Sequence, residues 1–206
     1  MRVIVGCERS QIVTKAFRKI CHEAYSCDIL PCEGDCPEWH FQEDLLKHLE
    51  NNSYDLGIFH PECTRLCSSG ARWWKYYPEE QNKAIDFFLT LTECNIKKWC
   101  IENPIGIMSS KYRKPDQIIQ PWQYGHGETK ATCLWLKNLP LLRPTNIVTG
   151  RDQRIHKMAP SDNRGWLRSI TFQGIADALA TQYTAFINSG MTVIEWENLF
   201  NKKDKL

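Results

Sequence analysis

Four short runs in this sequence end on side chains that can do chemistry: Gly6-Cys7-Glu8, Asp28, His60-Pro61-Glu62-Cys63 and Glu102-Asn103-Pro104. The thiolate of a cysteine is the nucleophile, so Cys63 needs a cation or a helix end to lower its pKa from about 8.5. Arg65 and Arg72 follow closely and could supply that charge. A carboxyl group such as Glu102 can stabilise charge developing on a reacting ring. Taken singly, each residue has a plainer account. Gly6 permits a tight turn, Asp28 ends a strand in solvent, Cys63 is a buried structural thiol, and Glu102 caps a loop. Together they carry more weight. Ligands of open parallel sheets bind at the carboxyl ends of the strands, and here four polar termini would share one edge.

The elements that must position them follow from periodicity. RVIVG is a β-branched run typical of a buried strand. Ser10 is placed to cap a helix whose apolar residues Ile12, Val13, Ala16, Phe17 and Ile20 recur at helical spacing. EAYSC predicts a strand ending at Asp28, EDLLKHLENN a helix, DLGIF a strand, and KWCIE another, stopped by Asn103 and Pro104. Pro78 suits the first turn of a helix running to about Glu93. Residues 103–130 read mostly as loop, ATCLWLK as a strand, PTNIVTG as a weaker strand, and 150–168 as an irregular basic stretch. ITFQGIADALATQYTAFIN predicts a helix after Gly174, and the tail NKKDKL is expected to fray. Strand alternating with helix predicts a parallel sheet with crossover helices.

Composition narrows the classes. The 206 residues are 42% hydrophobic and 24% charged, enough for one domain with an ordinary core. Lys and Arg number 26 against 24 Asp and Glu, which excludes a polycationic tail protein but leaves room for a local basic face. No apolar run approaches the ~18 residues of a membrane span, and MRVIVGCERS reads as a first strand, not an export signal. The ten cysteines are therefore expected as free thiols in a reducing cytoplasm, several packing as small hydrophobes within strands.

The series of motifs resembles the cytosine-5 DNA methyltransferases, and in particular the short methyltransferase-like proteins of phage genomes, for which the host cytoplasm is the expected location. RVIVGCERS is similar to their first cofactor motif, implying that Gly6, Cys7 and Glu8 line an S-adenosylmethionine site. AYSCDIL is similar to the second, implying that Asp28 holds the cofactor ribose with Ile29 beside it. FQEDLL resembles the third and would put Asp44 near the adenine. DLGIFHPECTRLCSSG resembles the segment that carries a Pro-Pro-Cys nucleophile. Cys63 stands in the cysteine's place, His60 on the cofactor side and Pro61 against the substrate. IENP resembles the Glu-Asn-Val motif, making Glu102 its glutamate and Asn103 a substrate contact. Residues 120–136, QPWQYGHGETKATCLWL, resemble the short phage proteins more than the large enzymes.

The resemblance implies an α/β, Rossmann-like S-adenosylmethionine-dependent methyltransferase fold, a mostly parallel sheet flanked by helices. A single catalytic domain over 1–206 is expected, without a separate target-recognition domain, with S-adenosylmethionine as cofactor and DNA as substrate. It also explains why these residue types belong together. Cytosine C5 is too weak a nucleophile to attack a methyl sulfonium. Addition of a thiolate at C6 turns the ring into an enamine, whose C5 then takes the methyl group. A glutamic acid bonded to N3 stabilises the developing charge. The target base must leave the duplex or arrive single-stranded.

The sequence also departs from that pattern. Only Gly6 remains of the usual glycine run, Glu62 replaces the second proline, and His60 stands where glycine is common. The family's late catalytic arginines have no clean counterpart, and Lys130, or Gln153 with Arg154, would have to substitute. Sequence discrimination is then either low or supplied by the later loops and a partner protein. Two other readings stand beside this one. An amino-group methyltransferase would use the same strand end but needs a terminal aromatic that His60-Pro61-Glu62-Cys63 lacks. A zinc-stabilised nucleic-acid-binding module could be drawn from Cys27, Cys32, Cys36, His40, Cys63 and Cys67, although Cys63 is better used as a nucleophile, and no metal is expected. Trp73, Trp74, Tyr76 and Tyr77, interleaved with Arg72 and Lys75, suit base stacking, with at least one Trp expected to pack inward. Arg151, Arg154 and their basic neighbours up to Arg168 suit phosphate contact. His126 is either an active-site polar group or a loop residue.

Overall fold

The computed structural model describes residues 1–201; the tail beyond them, expected to fray, lies outside the described residues. Seven strands form one sheet: β1 (Arg2–Gly6), β2 (Glu23–Asp28), β3 (His40–Gln42), β4 (Leu56–Phe59), β5 (Trp99–Pro104), β6 (Gln117–Ile119) and β7 (Thr132–Lys137). Their order is β3-β2-β1-β4-β5-β7-β6, parallel except for β7, which runs antiparallel to both neighbours. That order with a reversed seventh strand is the Rossmann-like methyltransferase arrangement, the fold class expected from the sequence. Among the described residues, no helix is long and apolar enough to cross a membrane.

The β-branched strands alternate their side chains between two covered faces. Val3 and Val5 of β1 face one way, towards α1 (Ile12–Lys19) and α7 (Gln173–Ser189), whose Phe17, Leu179 and Tyr183 fill that layer. Ile4 faces the other way, towards α2 (Leu45–Asn51) and α3 (Pro78–Thr92), with Leu49, Phe88 and Trp135. Four further α-helices lie among the described residues: α4 (Met108–Lys111), α5 (Arg154–Lys157), α6 (Arg164–Ser169) and α8 (Val193–Asn201).

Several local expectations are corrected. PTNIVTG forms no strand; it runs alongside residues 122–125, joined by an isolated bridge between Tyr124 and Asn146 and by backbone bonds such as Val148 N to Trp122 O at 3.0 Å. The three-residue strands β3 and β6 and the helix α8 were not legible as periodic runs. Ser10 does not cap α1. The N-cap is Gln11, in the left-handed region at φ 58°, and the carboxylate of Glu8 reaches over it instead. Glu8 accepts hydrogen bonds from Val13 N at 2.7 Å, Thr14 N at 3.1 Å and Thr14 Oγ1 at 2.7 Å, while 5% exposed. An anion at a helix N-terminus satisfies donors that the helix itself leaves unpaired. Glu8→Ala would strand three buried donors and should destabilise the protein by about 2–3 kcal/mol, readable by urea denaturation. A loss below about 0.5 kcal/mol would mean that water replaces the carboxylate.

Candidate active site

Parallel register builds the edge. Gly6 sits opposite Cys27 and Phe59, and Phe59 opposite Ile101, so the next residues, Cys7, Asp28, His60 and Glu102, form a row. The reversed β7 pairs Thr132 with Pro104, which brings its beginning, and Lys130 just before it, to this same edge.

His60 and Glu102 meet directly, His60 Nδ1 lying 2.8 Å from Glu102 Oε2, both side chains largely enclosed. Burial pushes the Glu102 carboxyl up, but the His60 hydrogen bond and the charge of Lys130 outweigh it and leave the group below its ordinary value. The other ring nitrogen of His60, Nε2, is buried without a hydrogen-bond partner. Cys63 is half-buried and its thiol is pushed up to about 11, chiefly by burial, then by Cys67 and Glu102, with Lys130 opposing and Glu62 adding a little. Lys130 therefore acts on both candidate catalytic groups. The cation expected from Arg65 or Arg72 comes from elsewhere, because Arg65 lies over the Tyr77 ring at 3.8 Å and Arg72 over Trp73 at 5.0 Å. Glu62 points outward, accepting from Thr64 N at 3.2 Å.

The loop carrying Cys63 is fastened on both sides. Asn103 is buried and donates its amide to the Pro61 carbonyl at 2.9 Å, so it holds the loop in place, a different part from the substrate contact expected of it. Leu66 N and Cys67 N both bond to Cys63 O, at 3.0 and 2.9 Å, making one helical turn of the Cys63 segment. Ser68 N bonds to Ile105 O and Ile107 N to Leu66 O, both at 2.9 Å, zipping that turn to the chain leaving β5.

On the cofactor side, Cys7 takes φ 59°, a conformation in which glycine is ordinarily used. With Gln11 it supplies the left-handed turns that the missing glycines would. The position of Gly6 has another reason, since a Cβ there would overlap Leu45 and meet Phe59 Cδ1 at 2.8 Å. Gly6 is thus a packing glycine, and Glu8 is committed to α1. Asp28 and Asp44 remain, and both contribute to pushing up the half-buried Cys7 thiol, after burial itself. Each uses Oδ1 on its own chain: Asp28 on Leu30 N at 2.9 Å, Asp44 on Leu46 N and Lys47 N at 2.9 and 3.2 Å as the α2 N-cap. Ile29 beside them is 70% exposed. Two carboxylates next to an exposed aliphatic side chain fit the donor groups and flat ring of an adenosine. The residues present therefore fit the adenosyl half of S-adenosylmethionine. His60, expected on the cofactor side, faces Glu102 instead.

A loop covering 31–36 is pinned over the β1–α1 turn. The buried Gln11 amide bonds Cys36 O at 2.8 Å and Cys36 N at 3.2 Å, and Arg9 and Lys15 form ion pairs with Glu33 and Asp35. Nothing periodic in the sequence marks Gln11 for this work. The residues drawn as a zinc site are dispersed. Cys27 is buried, and both ring nitrogens of His40 are engaged, with Ser26 Oγ at 2.9 Å and Leu30 O at 3.1 Å. Among the described residues, no three His, Cys, Asp or Glu side chains are grouped to hold a metal ion.

Beyond the Cys63 loop, a 3-10 segment (Ser68–Tyr76) presents Trp73 at 47% and Tyr76 at 61% exposure, with Lys75 4.8 Å from the Tyr76 ring. Trp74 is the ring that turns inward, half-buried. The basic stretch is more engaged than its composition implied. Arg154 pairs with Glu128 at 2.8 and 2.9 Å, and Arg151 donates to Val148 O and Gly150 O while lying 3.8 Å from the Trp122 ring centre. His126 is a structural residue, its Nε2 accepting from Gly174 N at 3.0 Å at the start of α7.

No protein-family model and no curated protein matches the chain. Solved structures do. A candidate DNA modification methyltransferase encoded within an E. coli prophage aligns at 14% identity and TM-score 0.49, over 78% of this chain and 56% of that one. The S. pombe Dnmt2 methyltransferase aligns at 15% identity and TM-score 0.44, over 78% of this chain and 54% of that one. The chain spans about half the length of these structures, and at such identities the likeness is one of fold.

Proposed function

We propose that the protein is an S-adenosylmethionine-dependent enzyme that methylates C5 of cytosine in DNA through a covalent Cys63 adduct. The observation that carries the reading is the meeting of Cys63 and Glu102 at one sheet edge under the charge of Lys130. In this reading the Cys63 thiolate adds to C6 of the ring, Lys130 favouring its ionisation, while Glu102 bonds N3 and takes up the charge that develops there. The cofactor, when bound, supplies an electrophilic methyl group. Loss of the C5 proton and departure of the thiolate restore the aromatic ring. Asp28, Ile29 and Asp44 hold the adenosyl half, and Cys7 shapes the turn beneath it. Arg151 and Arg154 stand further out, where a phosphate would have to compete with Glu128.

The test uses an oligonucleotide in which 5-fluorocytosine replaces cytosine. Fluorine in place of the C5 proton blocks release, so a DNA–protein band that survives denaturation should accumulate only when S-adenosylmethionine is present. Labelled methyl entering ordinary DNA without any trapped band would refute the covalent route.

Trp73 and Tyr76 are the substrate contacts this reading adds from the surface. Replacing both by Ala should weaken binding of a single-stranded oligonucleotide by about 1–3 kcal/mol per lost stacked base, followed by fluorescence anisotropy. Their exposure keeps the effect on stability small. Unchanged affinity would remove the stacking platform.

A further inference from the structure

The basic stretch after β7 returns to the candidate site at both of its ends. It begins beside the segment that leads to Lys130, where Thr129 N bonds to Asp152 O and Asp152 N to Gly127 O, both at 2.8 Å. It finishes there too, because the Lys130 ammonium donates to Ile170 O at 3.4 Å. Residues 152–170 are thus an excursion held at both ends by residues 127–130, and α5 and α6 lie within it. Ile170 N bonds back to Trp166 O at 3.3 Å. Trp166 therefore stands one helical turn, about 5.4 Å of rise, from the carbonyl that holds Lys130.

No residue of α6 is buried, and Trp166 and Leu167 are both exposed. Between its ends the excursion carries Arg154, Lys157, Arg164 and Arg168 against one acid, Asp162. Arg154 is spent on Glu128, but Lys157, Arg164 and Arg168 enter no ion pair among the described residues. Arg168 Nε is also enclosed without a hydrogen-bond partner. An exposed ring and an aliphatic neighbour among uncompensated cations match a nucleic-acid strand, which offers flat base faces and negative phosphates together.

We propose that α6 is a second DNA-contacting surface of this site, on which Trp166 and Leu167 receive the base next to the target and Arg164 and Arg168 its phosphate. This rests on the reading of DNA as substrate and deepens it. Glu102 lies on β5, between β4, which leads into the Cys63 loop, and β7, which Lys130 precedes. The segment with Trp73 and Tyr76 follows the Cys63 loop, whereas α6 arrives at Lys130. One strand is then held on both sides of the base that enters the site.

The first test needs no variant. A short single-stranded DNA oligonucleotide with 5-iodouracil beside a cytosine is bound to the whole protein and irradiated, and the cross-linked residue is found by mass spectrometry. Iodouracil couples to an aromatic ring in contact with it, so placement on one side of the cytosine should label Trp166. Placement on the other side should label Trp73 or Tyr76. No cross-link to Trp166 from either side overturns the proposal. The second test follows the affinity of the unmodified strand by fluorescence anisotropy. Trp166→Ala should weaken binding about fivefold or more, and Trp166→Phe, which keeps a ring, should recover most of the loss. Unchanged affinity in an Ala variant of parent-like stability in urea overturns the base contact; if that variant is destabilised, the cross-link decides. A cross-link at Trp166 in protein that transfers no methyl group refutes the methyltransferase reading and leaves the surface standing. Methyl transfer to DNA with no cross-link at Trp166 does the reverse.

Discussion

Cys63→Ala is expected to leave the fold intact and to abolish methyl transfer, with a fall of roughly 10⁴-fold or more in kcat. The side chain is half-buried and makes no hydrogen bond of its own that secures the loop, which is held by backbone bonds at Cys63 O, Leu66 O and Ile105 O. Loss of one sulfur there removes the group that adds to C6 in the proposed mechanism, while Glu102 and Lys130 stay in place. The ionisation of Cys63 adds a second signature. With the thiol pushed up to about 11, chiefly by burial, only a small fraction is thiolate at neutral pH in the free protein. Alkylation of Cys63 by iodoacetamide, read by mass spectrometry of its own peptide, should therefore increase about tenfold per pH unit up to that range. Lys130→Ala should push the midpoint further up, since Lys130 is the cation that opposes the rise. Activity retained in Cys63→Ala would refute the covalent mechanism outright.

Gly106→Ala should be damaging in a different way. A methyl group at Gly106 would overlap the Leu66 carbonyl oxygen and lie 2.8 and 2.9 Å from the Leu66 carbonyl carbon and Cys67 Cα. These are backbone atoms, and they cannot move aside as a side-chain tip can. Relief requires the nucleophile turn to lift off the chain leaving β5. That breaks the bonds from Ser68 N to Ile105 O and from Ile107 N to Leu66 O, and disturbs Leu66, which is fully buried. Two backbone hydrogen bonds and a displaced core leucine together amount to about 3–4 kcal/mol. Denaturation should show that loss, and methyl transfer should fall with it because Cys63 rides on the displaced turn. Parent-like stability would mean that the two segments separate freely.

What could be read in the sequence was whatever depends on local periodicity. The β-branched runs ending at Gly6, Phe59 and Glu102 became adjacent strands, and their polar ends fell on one edge because parallel register carries no choice once the strands are ordered. What could not be read depends on partners distant in the chain. Glu8 looked like part of a ligand loop because its neighbours are Gly6 and Cys7, yet a carboxylate six residues before Thr14 can also reach back over a helix start. Arg65 and Arg72 looked like the cations of Cys63 because they are close in sequence. Lys130, 67 residues further on, holds that place only because β7 runs backwards. The strands β3 and β6 are three residues long, too short to show any period.

The pairing of α1 with α7 has a consequence for the order in which the molecule can be made. The apolar stripe of the first helix, with Val13 and Phe17, is covered by a helix that leaves the ribosome some 160 residues later. Until then the β1 strand and the turn at Cys7 have a finished neighbour on one face only. The edge proposed for the cofactor is thus among the first parts synthesised and among the last to be enclosed, and the slow closure of so long a loop, not the local helices, should set the pace of folding.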